Sequence, residues 1–139
     1  MSVVYTGGTF DLFHFGHVNL LAKCRALGDR VVVALNTDEF VARYKGQLPV
    51  WNYAQRESML RACRYVDDII VNVDGEDSKP TILSVRPSFI VIGSDWAAKD
   101  YCSQLQCTPD WLEAQKISLF YVPYTEGVSS TMLRQQMNL

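Results

Sequence analysis

The stretch Ser2–Asn36, SVVYTGGTFDLFHFGHVNLLAKCRALGDRVVVALN, decides how the chain is organised. It opens on a short β-branched and aromatic run (2–6) and passes through the Gly7-Gly8 pair. A helical pattern follows over 17–27, and a second apolar run over 30–36 closes the stretch. Runs that are apolar nearly throughout suit strands covered on both faces of a parallel sheet, whereas half-exposed hairpin strands alternate apolar with polar. Gly28 stands just past the helical pattern, where a C′ residue belongs.

The same alternation continues to the other end of the chain. Apolar runs recur at DDIIVNV (67–73), SFIVIG (88–93) and ISLFYVP (117–123), with helical patterns at 52–63, 79–85, 108–116 and 129–137. Thr108 before Pro109 reads as an N-cap followed by proline at N1, and Ser129 or Ser130 suits the cap of the last helix. Strand and helix in repeated alternation predict an α/β fold. We expect a single doubly wound, Rossmann-like domain over 1–139 with a five-stranded, mostly parallel sheet. Two longer irregular connections, 43–51 and 94–108, interrupt the pattern. Ligands of such sheets bind beyond the carboxyl ends of the strands, so 7–17, 37–45, 93–96 and 123–131 are expected to converge on one edge.

Composition narrows the class of function. A chain of 139 residues is long enough for one domain that buries about two-thirds of its unfolded surface. Its formal charge of −2 and pI near 5.6 offer no basic field for nucleic acid. The chain has no apolar run of bilayer length and no basic, signal-like start, so a cytoplasmic protein without a membrane partner is expected. Cys24, Cys63, Cys102 and Cys107 form no CxxC pair and read as reduced structural thiols rather than a metal or disulfide framework.

Chemistry concentrates in the first connection. His14 and His17 are the chain's two histidines, three residues apart, directly after the glycine pair. A glycine turn leading into a helix N-terminus is a place for phosphate, because free N–H groups and the helix dipole both favour an anion. The segment is neither a Walker A loop nor a GxGxxG fingerprint. Zinc lacks a third ligand at the usual spacing. Two packed core histidines are one reading; imidazoles that donate hydrogen bonds to a phosphoryl group are the other, and the neighbouring glycines favour the second.

GTFDLFHFGH (8–17) resembles the signature of the cytidylyltransferase-like nucleotidyltransferases, RYVDDIIV (64–71) resembles a second family segment, and TEGVSST (125–131) a third. Their order and spacing agree over nearly the whole chain. With TDEF (37–40) and DW (95–96), the pattern is most similar to the short, single-domain glycerol-3-phosphate cytidylyltransferase type. The resemblance implies attack by a substrate phosphate on the α-phosphorus of a nucleoside triphosphate, with release of pyrophosphate. Positioning and charge stabilisation do most of the catalysis in such a transfer.

Carried onto this chain, the resemblance implies catalytic roles for His14, His17 and the loop lysine Lys45. Nucleotide binding falls to Thr9, Phe10, Gly16, Asp95, Trp96, Ser129, Ser130 and Thr131, and acceptor binding to Asp11, Arg56 and Arg64. Asp11 also suits a helix cap, Arg64 an ion pair with Asp67 or Asp68, and Trp96 a packing anchor. Magnesium bound to the substrate, a phosphorylated small-molecule acceptor such as glycerol 3-phosphate, and a homodimer are implied likewise. One departure stands out: Tyr124 occupies the position before TEG where the family pattern has an arginine. A phenol does not replace a bidentate cation, so Arg134 or a lysine would have to compensate. The alternatives to CTP chemistry are ATP-dependent transfer to a sugar phosphate and a nucleotide-binding module without turnover.

Overall fold

The computed structural model describes residues 2–72, 77–93, 108–123 and 125–138. Its described elements run β1 (Val3–Gly8), α1 (Phe15–Leu27), β2 (Arg30–Leu35), α2 (Asp38–Lys45), α3 (Tyr53–Arg61), β3 (Asp68–Val71), α4 (Lys79–Val85), β4 (Phe89–Gly93), α5 (Pro109–Ala114), β5 (Ser118–Val122) and α6 (Ser130–Gln136). The strands form one sheet in the order β3-β2-β1-β4-β5. Every pairing is parallel, where the sequence predicted a mostly parallel sheet.

Alternation along each strand divides the core into two layers. Val4, Val31, Val33, Leu35 and Val91 pack with Leu21 and Cys24 of α1 and Leu60 of α3. Tyr5, Ala34, Ile90 and Ile92 face the other way, onto Ile82 of α4 and Leu112 of α5. Each such aliphatic side chain contributes about 1.5–3 kcal/mol when taken out of water. Both faces are therefore apolar, which is why the strand sequences lack a polar alternation.

The sheet opens where its winding reverses. β1 pairs with β2 along its whole length, from Val3↔Arg30 to Gly8↔Leu35. It pairs with β4 only through Val4↔Phe89 and Tyr5↔Ile90. Beyond that point the Thr6 hydroxyl donates to the Val91 carbonyl at 2.9 Å, and the two strands part. The crevice at the carboxyl ends of β1 and β4 is the place where open α/β sheets take ligands.

Two boundaries differ from expectation. The irregular connection expected over 43–51 begins in helix, because α2 runs to Lys45: Thr37 caps Phe40 N–H, and Gly46 closes the helix in the left-handed region at φ 78°. Only glycine adopts that conformation without cost, which fixes where the helix stops. β3 covers 68–71 rather than 67–73: the Asp67 carboxylate accepts the Val31 N–H at 2.7 Å, and Asn72 N–H donates to Leu35 O at 3.0 Å. Val73 lies outside the described residues.

Candidate active site

The connection from β1 to α1 folds back on itself through two left-handed residues, Phe10 (φ 52°) and Leu12 (φ 50°). Such conformations cost side-chain-bearing residues on the order of 1 kcal/mol each and persist only when their surroundings enforce them. Asp11, between them and buried, supplies that enforcement. Its Oδ1 accepts from Leu12 N–H (3.1 Å) and Trp51 N–H (2.9 Å), and its Oδ2 from Val50 N–H (2.7 Å). Arg134 Nη1 approaches the same Oδ2 at 3.3 Å, and the Asp11 carbonyl accepts the Ser130 hydroxyl at 2.6 Å. The residue expected to touch an acceptor thus binds the β1 loop to the segment before α3 and to α6.

His14 and His17 open α1 as a reciprocal capping pair. Gly16 N–H donates to His14 Nδ1 and His14 N–H donates to His17 Nδ1, both at 3.1 Å. The two rings stack with centroids 3.8 Å apart, and His17 also packs against Phe10 and Phe13. An Nδ1 that accepts a hydrogen bond is unprotonated, so a neutral ring carries its proton on Nε2. Burial, then the neighbouring His14 and Lys45, hold the His17 pKa down to about 3; burial also lowers that of His14. At neutral pH both rings are uncharged Nε2–H donors with fixed tautomers. A Cβ on Gly16 would stand 2.9 Å from the His14 ring and 3.2 Å from Val128, so a glycine is needed to seat the pair against the turn before α6.

A cleft of about 310 Å³ lies over the crevice. The predicted residues Thr9, Phe10, Asp11, His17, Lys45, Ser130 and Thr131 all line it, as do Gly7, Gly8 and Gly93. Lys45 ends α2, with its ammonium 5.8 Å from the centre of the Tyr44 ring. Desolvation lowers its pKa, Asp11 acting against that shift and Arg134 and Arg56 adding to it. His14, Gly16 and Ser129 do not line the cleft; Ser129 caps α6 by accepting from Met132 N–H at 3.0 Å.

The two arginines expected at the acceptor do not line the cleft. Arg56 is wholly buried beneath the cleft. It donates through Nε to Trp51 O, through Nη1 to Thr9 O and Asn36 O, and through Nη2 to the Asp38 carboxylate at 2.6 Å. Four of its five donors are thereby used to hold the cleft's floor together. Arg64 is exposed, lies outside the cleft and donates to the Tyr65 hydroxyl. Its suggested partners are taken: Asp67 pairs with Arg25 and Asp68 with Arg30. Asp95, Trp96 and Tyr124 lie outside the described residues.

Among the cleft residues that escaped the sequence reading is a pair of buried asparagines. Asn36 and Asn72 are buried at the carboxyl ends of β2 and β3, joined by an Asn72 Nδ2 to Asn36 Oδ1 hydrogen bond of 2.9 Å. The signal was present, because VVVALN and IIVN are apolar runs that each stop on an asparagine. Among the described residues no group of three His, Cys, Asp or Glu is placed to hold a metal ion. The carboxylate in the cleft, Asp11, is already engaged by three backbone N–H groups, and the remaining groups suit phosphate oxygens better than a cation.

Residues 5–136 match the family model described as cytidylyltransferase-like. The chain is 36% identical over 137 residues to glycerol-3-phosphate cytidylyltransferase of Bacillus subtilis strain 168, covering 99% of this chain and 98% of that protein. It is 34% identical to the protein of the same name from Staphylococcus aureus, covering 99% and 96%. A solved structure of the lipopolysaccharide core biosynthesis protein from Thermoplasma volcanium superposes with a TM-score of 0.64 at 27% identity, over 86% of this chain and 96% of that one.

Proposed function

The chain belongs to the cytidylyltransferase-like family and is a nucleotidyltransferase; from that membership and the cleft we propose that it transfers CMP from CTP to glycerol 3-phosphate, giving CDP-glycerol and pyrophosphate. The observation that carries the reading is the pair of neutral, tautomerically fixed imidazoles beside a glycine loop, in a chain similar to glycerol-3-phosphate cytidylyltransferases over nearly its full length. A phosphate oxygen of the acceptor attacks the α-phosphorus of CTP. The new P–O bond forms as the bond to the α–β bridging oxygen breaks, and that oxygen leaves with pyrophosphate. A phosphomonoester dianion needs no base, so the protein's part is to align the two substrates and to offset charge on the α-phosphate oxygens.

Nε2–H groups suit that task because they donate without titrating near pH 7. Lys45 at the end of α2 adds a full positive charge, and the backbone around Gly7 and Gly8 admits the nucleotide closely. The substrate is taken to be the magnesium complex of the triphosphate, since the protein's own carboxylate in the cleft is occupied and this cation is usually held by phosphates and water. A homodimer and a cytoplasmic setting belong to the same proposal. Burial pushes the Cys24 thiol up to about 12, which makes it inert packing.

Pyrophosphate release with magnesium, measured for CTP and ATP against glycerol 3-phosphate and a panel of other phosphorylated alcohols and sugars, tests the assignment. Release with CTP and glycerol 3-phosphate is expected. Release only with ATP moves the protein to adenylyl transfer, and nucleotide binding without release in any pairing refutes an enzyme.

A further inference from the structure

Gly7 and Gly8 both line the cleft, but of the two only Gly8 is dictated by its neighbours. A Cβ on Gly8 would stand 3.0 Å from the Phe10 ring. On Gly7 it would meet Tyr5 Oη at 3.5 Å, Tyr5 Cε1 at 3.6 Å and Ala34 O at 3.7 Å, all ordinary contacts. Glycine inside a strand costs backbone entropy, so one that packing does not require marks a place kept open for a ligand. We propose that Gly7 determines acceptor specificity: its missing side chain opens a neutral polar recess, shared with Tyr5, Asn36, Asn72 and Ser78, that receives the hydroxylated carbon chain of the phosphorylated acceptor. This rests on the nucleotidyltransferase reading of the cleft and deepens it.

Register and alternation locate the recess. Tyr5 and Ala34 lie in the core layer facing α4 and α5, and Gly7 stands two residues beyond Tyr5 and opposite Ala34. Asn36 and Asn72 continue the same alternation past Ala34 and Ile70, joined by their 2.9 Å hydrogen bond, and Asn36 Nδ2 also donates to Thr9 Oγ1 at 3.1 Å. Ser78, buried at the start of α4, makes no capping bond with its hydroxyl. All of these are neutral, whereas Asp11, Lys45 and Arg134 are the charged side chains among the described lining residues. His17 packs on Phe10, which belongs to the layer facing α1. The imidazole and the recess thus flank the edge of the sheet on its two faces. An acceptor whose phosphate reaches the α-phosphorus beside His17 extends its carbon chain across that edge. Amides and hydroxyls donate and accept alike, as alcohol groups do, and the recess offers no counter-charge to a charged body. Around Gly7 it presents Tyr5 Oη and the Ala34 carbonyl rather than a flat apolar face on which a base stacks.

The test measures pyrophosphate release with magnesium for the wild-type chain, Gly7→Ala and Gly7→Val. CTP and the acceptor that the wild type turns over, glycerol 3-phosphate by the proposed function, are varied in turn, and propyl phosphate serves as an acceptor without hydroxyls. Gly7→Val should raise the acceptor KM roughly tenfold or more and Gly7→Ala about threefold, with the KM for CTP changed by less than about twofold. The preference for the hydroxylated acceptor over propyl phosphate in kcat/KM should shrink in step. An unchanged acceptor KM, an equal rise for CTP, or a preference that survives intact overturns the inference. In urea, Gly7→Ala should unfold at or above the wild-type midpoint; a clear drop would mean that packing requires the glycine, and it overturns the inference as well. Should Gly7→Val fail to fold, Gly7→Ala decides alone by the same pair of KM values. Wild-type turnover combined with any of these contrary results defeats this inference only. Wild-type protein that releases no pyrophosphate with any acceptor defeats the proposed function itself.

Discussion

His17 gains its neutral, donating form from the same burial that makes it costly to fold. Its pKa falls from the ordinary 6.5 to about 3, so between those values the unfolded chain binds a proton that the folded chain refuses. Stability contributed by neutral His17 is therefore complete above pH 6.5 and is lost as pH drops, by up to about 1.4 kcal/mol per pH unit. Urea unfolding at pH 7.5, 6.0 and 5.0 should show a steeper acid loss in wild type than in His17→Asn; parallel losses would mean the ring does not resist protonation. In turnover, His17→Ala should cost on the order of a hundredfold or more in kcat if its Nε2–H serves the transition state. The pairing of His14 with His17 was legible from spacing and glycine context. Their reciprocal caps were not, because these depend on how Phe10 and Leu12 turn the backbone before the helix begins.

The elements around the cleft are set by contacts that cross the sequence. Apolar runs located all five strands, since covering both faces of a parallel sheet leaves a plain pattern. α2 was missed because eight residues with only Phe40 and Val41 buried carry too little periodicity, although Thr37 and Gly46 mark its ends. The family resemblance implied that Arg56 faces an acceptor, and no local pattern reveals its partners 47, 20 and 18 residues away, at Thr9, Asn36 and Asp38. Arg56→Met should destabilise the fold by about 3–5 kcal/mol, since it strands the Asp38 carboxylate and three carbonyls. Chemical denaturation checks this, and a variant of native stability that merely raises the acceptor KM would restore the ligand role. Gly16→Ala belongs to the same scale. The added methyl meets the His14 ring at 2.9 Å and Val128 at 3.2 Å, so kcat/KM should fall roughly tenfold to a hundredfold while the chain stays folded.

At the scale of the molecule, the winding of the sheet creates the site. β1 and β4 part after Tyr5 and Ile90, and the loop after β1, the end of α2 and the start of α6 gather over the gap. The net charge of −2 conceals this arrangement, because the cleft's cations, Lys45 and Arg134, stand 89 positions apart in sequence and meet only across the fold. Composition pointed away from a basic field for nucleic acid, and it says nothing about two cations brought together. By the proposed function, this cleft directs attack to the α-phosphorus. A single-turnover reaction with CTP labelled at the α-phosphorus, glycerol 3-phosphate and magnesium tests it most directly. The label should appear in the glycerol adduct with unlabelled pyrophosphate released. Label left in free CDP while the acceptor gains an unlabelled phosphoryl group, or in free CMP while it gains an unlabelled pyrophosphoryl group, would contradict it.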